Sequence, residues 1–102
     1  MSTLLVELYI AAERGQELRD AFSRFRPVIS SQPGFQSVTL LRPQDRQGHQ
    51  KDDAASLWVL VICFAAESDR LRWVATHLHG EVWPEIAGCC DGVEATVFEA
   101  VP

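Results

Sequence analysis

Along this chain the spacing of apolar residues alternates between two and three-to-four, and the switches mark out the elements. In TLLVELYIA (3–11) the even positions Leu4, Val6, Leu8 and Ile10 are all apolar, while the odd ones mix Thr3, Leu5, Glu7 and Tyr9. That predicts a strand with one core face and one only partly polar face. Residues 13–29 change to a helical period: Leu18, Ala21, Phe22, Phe25 and Ile29 form one stripe, with Arg14, Glu17, Asp20 and Arg24 away from it. Pro27 is expected to kink or end that helix. SSQPG (30–34) then reads as a turn and FQSVTLLR (35–42) as a second strand.

PQDRQGHQKDDAA (43–55) holds no large apolar residue and reads as a solvated connection. In the strand predicted over 56–66, Leu57, Val59, Val61 and Cys63 share one face and Trp58, Leu60, Ile62 and Phe64 the other. Both faces therefore demand burial. Ser68 is expected to cap a helix that starts at Asp69 and loosens at Gly80. Pro84 would open a short extra turn, PEIAGCC, before a last strand, VEATVFEAV (93–101).

The order βαββαβ predicts a ferredoxin-like α+β sandwich, one domain over 1–102, with the first and third strands central and both helices on one face of an antiparallel sheet. Two helices cover only that face. The other keeps Leu5, Tyr9 and the apolar side of 57–64. So large an apolar area marks an interface, and a second copy of the chain is the expected partner.

Composition narrows the function classes. A net charge of −5 without a basic stripe argues against nucleic acid. The longest apolar run, LWVLVICFAA (57–66), is about half of what a bilayer crossing needs. MSTLLVELYIAAERG has no basic leader and carries Glu7 in its apolar stretch, unlike a signal peptide. Three cysteines, with no C-x-x-C spacing, suggest neither a disulfide framework nor a zinc site, and a reducing cytoplasm is expected.

Candidate chemistry concentrates in LRWVATHLHGEVWPEI (71–86). On a continuous helix over 69–83, at about 100° per residue, Leu71, Val74, Ala75, Leu78 and Val82 form the core face. Arg70, Trp73, His77 and Glu81 then fall on a stripe along its flank. The plain account is packing: Trp73 stacks on Arg70 or His77 at a dimer seam, and Glu81 pairs with His77. The sharper account makes the stripe the mouth of a cavity, with His77 as proton acceptor, since imidazole titrates nearest neutral pH. His79 falls on the opposite flank, near Arg72 and Trp83, as a surface residue.

H-x-H-x-E (77, 79, 81) contains metal-ligand types, but only His77 and Glu81 share a helix face, so no metal is expected. His49, in the polar connection, has no assigned role. Glu7 needs a partner if buried, or sits at a rim. Tyr9 is a packing residue or a donor to a phenolic oxygen. Cys63 is expected to be inert, and Cys89-Cys90 lacks a basic neighbour that would activate it.

The succession of alternating first strand, amphipathic helix ending in RPVISSQPGF, second strand, apolar central strand and a helix opening with aromatic and His residues resembles the antibiotic-biosynthesis-monooxygenase family of dimeric α+β barrels. The likeness spans nearly the whole chain and is most specific at PVISSQPGF. It implies a homodimer whose sheets close into a barrel, with a ligand cavity between each sheet and its own helices. Some members oxidise polyketide phenols or anthrones with neither metal nor flavin. Others degrade haem, cyclise or isomerise, or have no known activity. The haem-degrading set uses an Asn on the first strand with a Trp and a His ligand on the second helix; this chain contains no Asn, so that set does not carry over. Near the end of the central strand, where the family often has Trp-Glu, it reads CFAAES.

The resemblance thus implies a cofactor-independent monooxygenase acting on a small aromatic or polyketide-like substrate. In that scheme His77 is the base, Trp73 and Trp83 are walls, Arg70 or Tyr9 is an oxyanion partner, and Glu81 stands beside His77. The alternatives are a non-catalytic dimeric ligand-binding module, or an isomerase or cyclase on the same fold.

Overall fold

Strand alternation sets the frame of the molecule. The computed structural model describes residues 1–44 and 56–102; most of the predicted solvated connection, with His49, lies outside the described residues. The elements are β1 (Ser2–Ile10), a single 3-10 turn (Ala12–Arg14), α1 (Gly15–Ser30), β2 (Phe35–Leu41), β3 (Ser56–Phe64), α2 (Glu67–Val74), α3 (His77–Ala87) and β4 (Gly92–Glu99). All neighbouring strands run antiparallel in the order β2-β3-β1-β4, so the first and third strands are central, as predicted.

In this register Val6 stands opposite Leu60 on one side and Ala95 on the other. The even residues of β1 and β3 thus share a face. Val6, Leu8, Ile10, Trp58, Leu60, Ile62 and Phe64 are buried there under the α1 stripe Leu18, Ala21, Phe25 and Ile29. Each large side chain fully withdrawn from water contributes roughly 1.5–3 kcal/mol, so this layer dominates the core.

Three local expectations need correction. Pro27 does not end α1, which runs on to Ser30. Pro27 and Ser23, whose carbonyl loses its intrahelical donor, are both exposed, so solvent can replace the missing bond. Pro84 and Gly80 repeat that arrangement inside α3: both are exposed, and neither breaks the helix. The helix expected from Asp69 starts instead at Glu67, after Ala66 in extended conformation, and stops at Val74. The actual interruption is at Ala75–Thr76, where Thr76 (φ −76°, ψ 154°) leaves helical geometry and caps α3.

The PVISSQPGF joint turns on Gly34, the one described residue at positive φ (78°). The Gly34 carbonyl accepts from the Ala65 amide at 2.7 Å, tying the α1–β2 turn to the end of β3. A Cβ at residue 34 would overlap the Asp69 side chain. The sheet face away from the helices carries Leu5, Glu7 and Tyr9 of β1, Val59 and Val61 of β3, and Thr96 and Phe98 of β4. Leu57, Leu41 and Phe98 are exposed there, as the predicted apolar outer face requires. Among the described residues no helix is long and apolar enough to cross a membrane.

Gly34→Ala combines an unfavourable backbone conformation with that overlap, and a loss of roughly 1–3 kcal/mol is expected. Urea unfolding measures it; a midpoint equal to wild type would remove Gly34 from its structural role.

Candidate active site

Because α1 lies over β2 and β3, the helix-facing side of β4 is left thinly covered, and a cavity opens beneath α2 and α3. Its volume is about 240 Å³. The floor is apolar, made by Leu4 and Val6 of β1, Ile62 and Phe64 of β3, and Ala95 and Val97 of β4. Phe25 of α1 closes one side. Arg70, Trp73 and Val74 of α2 and His79 and Trp83 of α3 form the roof. Val74 and Val97 are also exposed, which puts the mouth between α2 and β4.

Aromatic rings set the shape of the chamber. Phe25 meets Trp73 edge-on at 6.1 Å and Trp83 edge-on at 6.4 Å. The His79 ring sits between the same two indoles, edge-on to Trp73 at 5.1 Å and stacked on Trp83 at 6.3 Å. Burial there disfavours the imidazolium and lowers the His79 pKa. Among the described residues lining the cavity, only His79 and Arg70 carry an ionisable side chain.

Arg70 is held from behind. Its Nε donates to Glu67 Oε1 at 2.9 Å and its Nη2 to Glu67 Oε2 at 2.6 Å, a bidentate pair. The Ser2 hydroxyl donates to Glu67 Oε1 at 2.5 Å, linking the start of β1 to α2. The Arg70 hydrogen bonds, with help from Ser2, take the Glu67 carboxyl down to about 2. Among the described residues no acceptor engages Nη1.

Of the residues picked from the sequence, Arg70, Trp73 and Trp83 come together in the cavity. His77 does not. Its side chain is 89% exposed and its Nε2 lies 2.8 Å from Glu81 Oε2, so both residues of that pair face solvent. Tyr9 lies on the opposite face of the sheet, where partial burial and then the carboxylates of Glu7 and Glu94 raise its pKa.

His79, expected at the surface, is the imidazole in the chamber. The expected core face is also displaced, since Leu71, Val74 and Leu78 are exposed while Trp73 is 3% exposed. In α2 the buried side is the stripe of Arg70 and Trp73 that the wheel put on the flank. Beyond Thr76 the backbone restarts, so the wheel no longer tells which histidine turns inward, although Val82 still packs against the core. A Thr between two short helical segments is the only hint in the sequence, and it is weak without a Glu or Gln at position 79 to complete a capping box.

The two neighbouring thiols are tied to helix carbonyls, and, against the expectation of no basic neighbour, Arg14 lies close enough to act on both. Cys89 donates to the Glu85 carbonyl at 3.2 Å and Cys90 to the Ile86 carbonyl at 3.3 Å. Burial raises both, Cys90 to about 11, and outweighs the nearby Arg14.

Several solved structures share this architecture. SnoaB, a cofactor-independent oxygenase from Streptomyces nogalater, matches with a TM-score of 0.78 at 20% identity, over 99% of this chain and 94% of that one. A conserved protein from Methanosarcina mazei Go1 matches with a TM-score of 0.74 at 11% identity, over 95% and 89%. A conserved protein of unknown function from Bacteroides thetaiotaomicron VPI-5482 matches at 0.78 and 9% identity, over 97% and 96%. At these identities the likeness is one of fold. No curated protein matches the chain. The family profile described as antibiotic biosynthesis monooxygenase matches residues 1–82, and the chain belongs to that family.

Proposed function

We propose that the chain is a cofactor-independent monooxygenase acting on a small phenolic or anthrone-type aromatic, with His79 as the base. The observation that carries this is the enclosure of one imidazole and one anchored guanidinium in an otherwise apolar chamber. A cavity of roughly 150 Å³ holds a benzene ring, so about 240 Å³ suits a fused pair of rings, with any further ring lying at the mouth.

The chemistry asks little of the protein. His79 takes the phenolic proton, or the enolising proton of an anthrone, and Arg70 Nη1 faces the oxyanion that forms. The electron-rich anion passes an electron to O₂, and the resulting radical pair combines to a peroxide at carbon. Loss of water from that peroxide gives the quinone. His79 returns its proton to the peroxide before water leaves; one oxygen atom enters the product, the other departs in that water, and all four electrons come from the substrate. Trp73 and Trp83 serve as walls that keep water from the anion.

The second reading is a non-catalytic dimeric ligand-binding module. The open volume beside Trp73 speaks against a vestigial, filled pocket, and an aromatic ligand bound without oxygen uptake would decide for a binding module. An isomerase or cyclase would use the same base without O₂, and turnover under anaerobic conditions would decide in its favour. A homodimer is part of the proposal. The outer sheet face, apolar at Leu5, Val59, Val61 and Phe98, is the surface a second copy would cover. Three free thiols are in keeping with a cytoplasmic setting.

His79→Gln is expected to lower oxygen uptake with an anthrone-type phenol by about 10²-fold or more. His77→Gln is expected to stay within about twofold, since an exposed pair contributes little. Equal rates for His79→Gln and wild type reject the assignment of the base.

Because burial lowers the His79 pKa, its neutral form persists into more acidic solution than an ordinary imidazole allows. The acid limb of kcat/KM is therefore expected below the usual value of about 6.5. A limb above pH 7 would contradict a buried base.

Val61→Asp, at the centre of the outer sheet face, is expected to convert a dimer to monomers in sedimentation velocity. A wild-type monomer at micromolar concentration would rule the dimer out.

A further inference from the structure

His79 reaches the cavity only because the helix ahead of it is interrupted. On an unbroken helix His77, four residues after Trp73, would share its flank, and His79 would lie about 240° around the axis. Instead α2 ends at Val74 and α3 begins at His77, with Thr76 extended between them. The Thr76 hydroxyl joins the two ends. Its Oγ1 donates to the Trp73 carbonyl at 2.7 Å and accepts the His79 amide at 3.1 Å. The same Trp73 carbonyl also accepts the Thr76 amide at 3.0 Å.

One hydroxyl thus bridges the backbones of the two residues whose rings meet at 5.1 Å. The His79 amide is the last of the four at the α3 N-terminus that have no intrahelical acceptor, and the Thr76 side chain supplies one.

We propose that Thr76 is a positioning residue whose hydroxyl holds the α2–α3 interruption and so selects His79, rather than His77, as the imidazole facing the cavity. What His79 does there rests on the base assignment above; that Thr76 places it does not.

Burial of Trp83 and Ile86 also holds α3 against the core, and it is the competing anchor. The two anchors act on different things. Apolar burial fixes the helix as a body, whereas the Thr76 bridge fixes the rotational start of α3 relative to Trp73. Loss of a capping hydroxyl shifts such a local balance by roughly fivefold.

The test follows the His79 ring by proton NMR titration, which needs no substrate. Across the cavity Arg70 is the one charged neighbour and stays paired with Glu67, while α1 and the sheet present only apolar side chains, so the titration reports ring burial. Thr76→Val, which keeps the shape and removes the hydroxyl, is expected to move the His79 midpoint up toward the ordinary imidazole value. Thr76→Ser, which keeps the hydroxyl, is expected to restore the wild-type midpoint. Wild-type midpoints in both variants would overturn the proposal.

Should Thr76→Val fail to fold, hydrogen exchange on the wild-type protein decides. A slowly exchanging His79 amide supports the Thr76 bond, and exchange at the rate of a free amide refutes it. Oxygen uptake separates this proposal from the functional one: fully active His79→Gln removes the base and leaves Thr76 in its role.

Discussion

A four-stranded sheet has two faces, and the helices of this chain bury only one of them. Every other feature follows from how that face is shared out. α1, with Leu18, Ala21, Phe25 and Ile29 buried, covers one side of the sheet and leaves Leu4, Val6, Ile62 and Phe64 as part of the cavity floor. α2 and α3 are shorter, and their Trp73 and Trp83 meet Phe25 edge-on. The volume left over β4 is the cavity. A chamber at this position requires no special loop; it is the remainder of an incomplete helical layer.

Two ion pairs on neighbouring helices show how placement decides the worth of similar chemistry. His77–Glu81 is an exposed i,i+4 pair, of the kind that contributes a few tenths of a kcal/mol. Glu67–Arg70 is an i,i+3 pair on the adjacent helix, but the Arg70 side chain is only 15% exposed and Ser2 adds a third hydrogen bond to the same carboxylate. The second pair keeps a guanidinium at a set depth in an apolar wall. That costs desolvation, which the bidentate geometry offsets.

The chemical idea behind a cofactor-independent oxygenase is that the substrate, once deprotonated, is itself the reductant. A protein serving it needs a dry chamber, a base of near-neutral pKa and a donor for the oxyanion. In the proposed reaction the apolar cavity, His79 and Arg70 would fill those three parts, and with no Asn in the chain no Asn side chain would orient the oxygen. The indoles of Trp73 and Trp83 and the Nη1 group of Arg70 are the remaining surfaces a reacting oxygen would meet.

Much of this was legible in the order of residues. Period-two runs placed all four strands to within a residue or two, because an exposed error in strand register would turn a whole row of apolar side chains to water. The same runs predicted the central strands and the apolar outer face. Trp73, Trp83 and Arg70, singled out in the sequence, do line the cavity, although Trp73 and Arg70 are on α2 and Trp83 is on α3.

The histidine was not legible. His77 and His79 are two positions apart, and which one turns inward depends on where the helix restarts. A single hydroxyl between the Trp73 carbonyl and the His79 amide marks that restart. Sequence periodicity determines faces as long as the backbone is continuous; across an interruption the phase is reset by tertiary contacts, and only the folded chain records it.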